Sequence, residues 1–201
     1  MSATDNLFVV KKTTVNPNSP GEPMFSVTLH KTYESLPLAK QAAKVLLKEQ
    51  GYDTEFFIGY HVKEESSEWK YGDGILVYGE ASPGEIIKVE IDTVNNSERL
   101  VADSTGEIRP PIYHVLQTVV RYDKDRSGSE RYSVVEGTYG DRDQARKKAR
   151  EVLLDENVRK EDFAEYDEYN EDLEGAFGPD CVVHAVKEGG ENILVSVVAS
   201  A

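Results

Sequence analysis

Asp123, Asp125, Ser127 and Gly128 spell the opening of a calcium-binding loop, D-x-D-x-S-G. Oxygens at alternate positions wrap a hard cation, and the glycine permits the sharp turn between them. The twelfth position, where such a loop needs a bidentate glutamate, is Val134, and the flanking residues read as strands. A solvated hairpin turn accounts for the same residues. His30, His61, His114 and His184 are scattered, with no H-x-x-x-H or H-E-x-x-H spacing. His30 and its repeat equivalent Glu136 could both face a cleft metal, but no third ligand accompanies them. No metal and no cofactor is therefore expected. Gly72-Asp73-Gly74 precedes a strand rather than a helix, so it offers no helix N-terminus to a phosphate. Signatures of serine hydrolases, nucleotide-binding loops and kinases are absent from the sequence. Cys181, the one cysteine, sits in the apolar run Asp180-Cys181-Val182-Val183 with no adjoining His, Lys or Arg. It reads as an inert buried thiol.

The densest chemical signal is residues 161–174, EDFAEYDEYNEDLE, with eight acids and no base. Aromatics between acids suit docking on a basic protein, the rings giving buried area and the charges steering. The candidate partner-binding residues are Phe163, Glu165, Tyr166, Asp167, Glu168, Tyr169, Glu171 and Asp172. A solvated acidic loop is the plainer reading. Ahead of it, Arg142, Arg146 and Arg150 recur every fourth residue, as Lys40, Lys44 and Lys48 do earlier. Each set reads as a solvated helix face, the alternative being contact with an anionic ligand or with the acidic segment itself.

The elements that position these residues come in two copies. Shifted by 106 residues, positions 32–60 fall on 138–166, and eight of the 29 pairs are identical. Chance gives about two. The identities include Thr32/Thr138, Tyr33/Tyr139, Phe57/Phe163 and Tyr60/Tyr166. One extra residue in the second copy then aligns Ile75-Leu76 with Val182-Val183 and Ile86-Ile87 with Ile193-Leu194.

Each copy reads as two strands, a helix and two strands. Strands are expected over residues 7–15 and 25–33, then 112–122 and 131–139. Phe25, Val27, Leu29 and Tyr33 should share one face of their strand, with Ser26, Thr28, His30 and Thr32 on the wet one. Helices follow Ser35 and Asp141 as N-caps, with Ala39, Ala43, Leu46 and Leu47 matched by Ala145, Ala149, Val152 and Leu153. Residues 75–79 and 85–91, then 181–186 and 192–198, close the copies. Residues 54–62 could add a strand; their counterpart 163–170 is too acidic to read as one.

The expected fold is thus α+β: two tandem ββαββ-like modules with mostly antiparallel sheets and one main helix each, related by a pseudo-twofold. Residues 1–92 form the first module, 93–111 a polar linker, and 112–201 the second. A net charge of −14 repels phosphate backbones and anionic lipids, which argues against nucleic acid and membrane partners. The N-terminus lacks the charged start and apolar run of a secretory signal, so cytoplasm or nucleus is expected. The function expected from these features is a non-enzymatic interaction protein. The alternative is an enzyme or small-ligand binder using a cleft between the modules. Vicinal oxygen chelate enzymes hold a metal between paired modules in that way, a parallel of arrangement alone.

Overall fold

Alternating apolar residues open two antiparallel sheets, at β1 (Asn6–Val15) and at β7 (Tyr113–Arg121). The computed structural model describes residues 3–18, 24–64, 68–170 and 177–200. After β1 come β2 (Phe25–Tyr33), α1 (Leu36–Glu49), β3 (Phe57–Val62), β4 (Ile75–Ala81), β5 (Glu85–Asn95) and β6 (Glu107–Ile108). After β7 come β8 (Arg131–Tyr139), α2 (Arg142–Glu151), β9 (Glu165–Glu168), β10 (Cys181–Val186) and β11 (Glu191–Ala199). The chain divides into two compact units, Met1–Thr93 with Val101–Arg109, and Val94–Leu100 with Pro110–Ser200. The protein is α+β, and no described helix is long and apolar enough to cross a membrane.

The first sheet runs β3-β4-β5-β1-β2-β6 and the second β9-β10-β11-β7-β8. Apart from β6, the two orders are the same: third, fourth, fifth, first, second. Each unit is therefore ββαβββ, one strand richer than the ββαββ expected. The agreement extends to individual ladder pairs. Val62 pairs with Val77 as Glu168 does with Val183, and Gly79 pairs with Ile87 as Ala185 does with Ile193. Both shifts are 106, so the extra residue placed in the second copy does not exist. Ile75 answers to Cys181, not Val182, and Ile86 to Asn192. Apolar runs slide past one another in a sequence comparison; ladder pairing does not.

Helix packing explains the paired alanines. Ala39, Ala43 and Leu47 are buried against the first sheet with Tyr33, Phe57, Val77, Ile87 and Val89. Ala145 and Ala149 are buried against Val115, Tyr139, Val183, Ala185 and Ile193. A methyl group there lets the helix axis approach the sheet closely. Asp141 caps α2 by accepting from the Gln144 backbone N–H (2.9 Å). Ser35 occupies the same position before α1, but its side chain makes no cap bond, and Pro37 starts that helix instead.

A β-bulge lies at the same place in each unit. Val9 pairs with Thr32 and Lys11 with Leu29, so His30 and Lys31 face the single residue Val10. In the second unit Val115 pairs with Gly137 and Leu116 with Val135, leaving Glu136 as the extra residue. A bulge breaks the two-residue alternation. Tyr33 consequently leaves the face of Leu29 and joins the helix-side core, contrary to the unbroken alternation expected for this strand.

Residues 93–111 do more than connect. Ile108 pairs with Thr32 and Glu107 with Tyr33, which adds β6 to the first sheet. The turn before it is held by Asp103, whose Oδ1 accepts from the Thr105 N–H (2.8 Å) and hydroxyl (2.6 Å). Gly106 adopts φ +78° there, and its carbonyl accepts from the Glu34 N–H (3.1 Å).

Candidate functional site

The bulge and β6 together frame a hollow of about 560 Å³ between α1 and the end of the first sheet. Leu38, Ala42, Val45 and Leu46 supply an apolar wall from α1, and Val45 is exposed. The bulge aims His30 and Tyr33 into the hollow from β2. Lys31, Glu107 and Arg109 form the polar rim. Glu107, nearly buried, accepts from Lys31 (3.3 Å) and from Arg109 Nη1 (3.0 Å), and Arg109 also pairs with Asp103 (2.5 Å). That hydrogen bond to Glu107 raises the Lys31 pKa, so its ammonium charge is secure at neutral pH.

Two titratable groups facing the hollow, Tyr33 and His30, are shifted toward their neutral forms. Burial raises the pKa of the Tyr33 phenol. Burial, and then the nearby Lys12 charge, lower the pKa of His30. A neutral His30 can accept from the Gln50 amide, whose Nε2 lies 3.4 Å from the ring Nε2. No nucleophile–base pair is formed among these residues. The site is equipped to bind an apolar body beside a few polar groups.

The second unit has the corresponding hollow, about 370 Å³, lined by Val115, Glu136, Tyr139, Lys148, Glu151, Val152 and Leu154. Lys148 replaces Ala42, and Glu151 replaces Val45. These two pair with each other at 3.1 Å, one helical turn apart. Among the described residues, this sheet has no counterpart of β6.

No protein-family model, curated protein or solved structure matches this chain. The chemistry rests on the residues themselves.

Within the acidic-aromatic segment, Glu165–Glu168 form an edge strand, β9, rather than a loop. Phe163 and Tyr166 turn inward and pack on the core, and the Tyr166 hydroxyl donates to the Arg150 carbonyl (3.3 Å). Tyr169 sits beside Phe177, with ring centroids 6.5 Å apart. Glu165, Asp167 and Glu168 are exposed, and Glu168 pairs with Lys160 at 2.6 Å. Two of the three rings are thus partly buried against the core of their own unit. Glu171 and Asp172 lie outside the described residues. The arginine stripe is not a solvated face. Arg146 is buried and donates to the Tyr169 carbonyl (3.0 Å), and Arg150 donates to Asn170 Oδ1 (3.3 Å).

Other motifs resolve locally. Asp125 accepts from the N–H and hydroxyl groups of both Ser127 and Ser129, and Asp123 pairs with Arg121 at 3.2 Å. Both Asp125 oxygens thus hold the hairpin turn. Cys181 is buried, and burial pushes its thiol up to about 11, which removes the thiolate at neutral pH.

Sequence reasoning missed the rim residues Glu107 and Arg109, because a two-residue strand leaves no periodic signal. It also missed that His184 meets Asp167, its direct neighbour across the β9–β10 ladder. The alternation of Glu165 and Asp167 with Tyr166 and Glu168 is too short to separate strand from acidic loop.

Proposed function

We propose that this chain is a non-catalytic binding protein built by duplication of one ββαβββ unit, and that the first unit's groove receives a partly apolar, small-molecule-sized ligand. Duplication is supported by the shared strand order, ladder pairs and bulge. The observation that carries the binding reading is the contrast at two helix positions. Ala42 and Val45 leave the first hollow open and apolar, where Lys148 and Glu151 occupy the second. An exposed valine facing a concave wall serves a ligand better than it serves stability, since the second unit does without one.

The test exchanges the two linings. Titration with the amphiphilic dye anilinonaphthalene sulfonate, together with methyl NMR of Leu38, Val45 and Leu46, reads occupancy of the groove. Saturable one-to-one binding that perturbs those methyls is expected for the native chain. The double variant Ala42→Lys, Val45→Glu should abolish it without changing the melting temperature. Binding that is absent, or indifferent to the exchange, defeats the reading.

A further inference from the structure

We propose that Glu165, Asp167 and His184 bind one divalent first-row transition-metal cation, of the Zn²⁺ type, on the face of β9 and β10 opposite α2. One ligand atom from each of the three residues lies within 4.8 Å of the others. Strand geometry dictates the grouping. Glu165 and Asp167 are two residues apart and share a face of β9. His184 is directly opposite Asp167, on β10. A cation 2.0–2.2 Å from each ligand would hold them about 3–4.4 Å apart. The two exposed carboxylates need only small side-chain rotations to close that gap.

The imidazole is already prepared. The His184 side chain is 8% exposed, and Phe177 lies over it with centroids 4.4 Å apart. Its Nε2 lies 2.9 Å from Asn192 Oδ1, an acceptor, so Nε2 carries the proton. The Nδ1 lone pair then points at Asp167, whose Oδ2 is 3.7 Å away, beyond hydrogen-bond distance. A histidine fixed through its second nitrogen by an oxygen acceptor is the usual outer support of a metal ligand. Among the described residues, neither Glu165 nor Asp167 has a lysine or arginine ion-pair partner. Three electron-rich atoms therefore converge, and a dication balances the two carboxylate charges. Imidazole beside carboxylates favours a borderline transition ion over Ca²⁺ or Mg²⁺. Three protein ligands leave the remaining positions to water.

This site belongs to the second unit alone. The matching positions in the first are Gly59, His61 and Tyr78, and Tyr71 stacks on Tyr78 at 4.1 Å, where Phe177 covers His184.

Calorimetric titration of the EDTA-stripped full chain with ZnCl₂ tests the proposal. One site of micromolar or tighter affinity is expected, with CaCl₂ binding at least 100-fold weaker. Glu165→Gln and Asp167→Asn, both at exposed positions, should each weaken Zn²⁺ at least tenfold while leaving melting in EDTA unchanged. Asn192→Leu should weaken it about tenfold by freeing the tautomer, and Asn192→Asp, which keeps the acceptor, should not. Absence of binding at millimolar Zn²⁺, equal affinity for Ca²⁺, or full affinity in the Glu165→Gln, Asp167→Asn double variant would each overturn it.

Discussion

The two units share a ladder but expose different surfaces. In the first, the hollow beside the helix is open, and the outer face of strands three and four carries Tyr71 stacked on Tyr78. In the second, Lys148 and Glu151 line the hollow, and the outer face carries Glu165, Asp167 and His184. The buried alanines, the inward Phe57/Phe163 and Tyr60/Tyr166 pairs and the bulge are common to both. What is shared is what closes the sheet against its helix; what differs lies on surfaces the core does not constrain. Retention of backbone geometry with exchange of the residues that line a surface lets one architecture carry two chemistries.

The sharpest way to break this pairing is at Val9 and His114, which occupy the same ladder position opposite Thr32 and Thr138. His114 is fully buried, its Nδ1 lies 2.9 Å from Thr138 Oγ1, and burial depresses its pKa to about 4. The unfolded chain, with an ordinary histidine, takes up the proton first. Stability should fall as pH drops from about 6.5 toward 4, by on the order of 3 kcal/mol from this group. His114→Val should lose that increment, read as the difference between the two proteins' melting temperatures across the pH range. An unchanged pH profile in the variant would separate His114 from acid sensitivity.

The next largest effect belongs to Arg146 against its counterpart Lys40. Arg146→Ala removes a buried charge-assisted hydrogen bond to the Tyr169 carbonyl and should cost about 2–3 kcal/mol in urea unfolding. Lys40→Ala, at an exposed position, should stay within about 0.5 kcal/mol. Equal losses would mean that the two helices grip their sheets alike. Gly106→Ala should cost about 1–2 kcal/mol, because φ +78° is strained for alanine. The new Cβ would also press on Leu38, so the groove methyls should shift in the NMR spectrum. The smallest change is expected at the β9 edge. Neutralising Glu165, Asp167 and Glu168 together, in EDTA, should leave stability within about 0.5 kcal/mol. A large loss would make the acidic edge a structural element.

The regular parts of each unit were legible in the sequence because they repeat. Alanines spaced for one helix face and paired Thr-Tyr and Phe positions recur at one shift. The bulge was not legible, since it is a property of two paired strands and appears in neither pattern alone. β9 reads as too acidic because an edge strand needs apolar residues on only its inner face; Tyr166 supplies that face, and Phe163 packs on the core from just before the strand. The arginine stripe looked solvent-facing because periodicity reports which residues share a face, not what covers it. Glu107, Arg109 and the His184–Asp167 contact join residues far apart in the chain, and only the ladder brings them together.

Cys181 gives the molecule a clock for one unit alone. It is the chain's one cysteine, it is buried on β10, and burial raises its pKa to about 11. A thiol reagent can reach it only when the second unit opens, and then reacts at the rate of an ordinary exposed thiolate. The labelling rate, divided by that of the unfolded chain, measures the opening equilibrium of the second unit while the first contributes nothing to the signal. Global unfolding followed in parallel by fluorescence would show whether the fused halves open as one or whether each keeps its own rhythm.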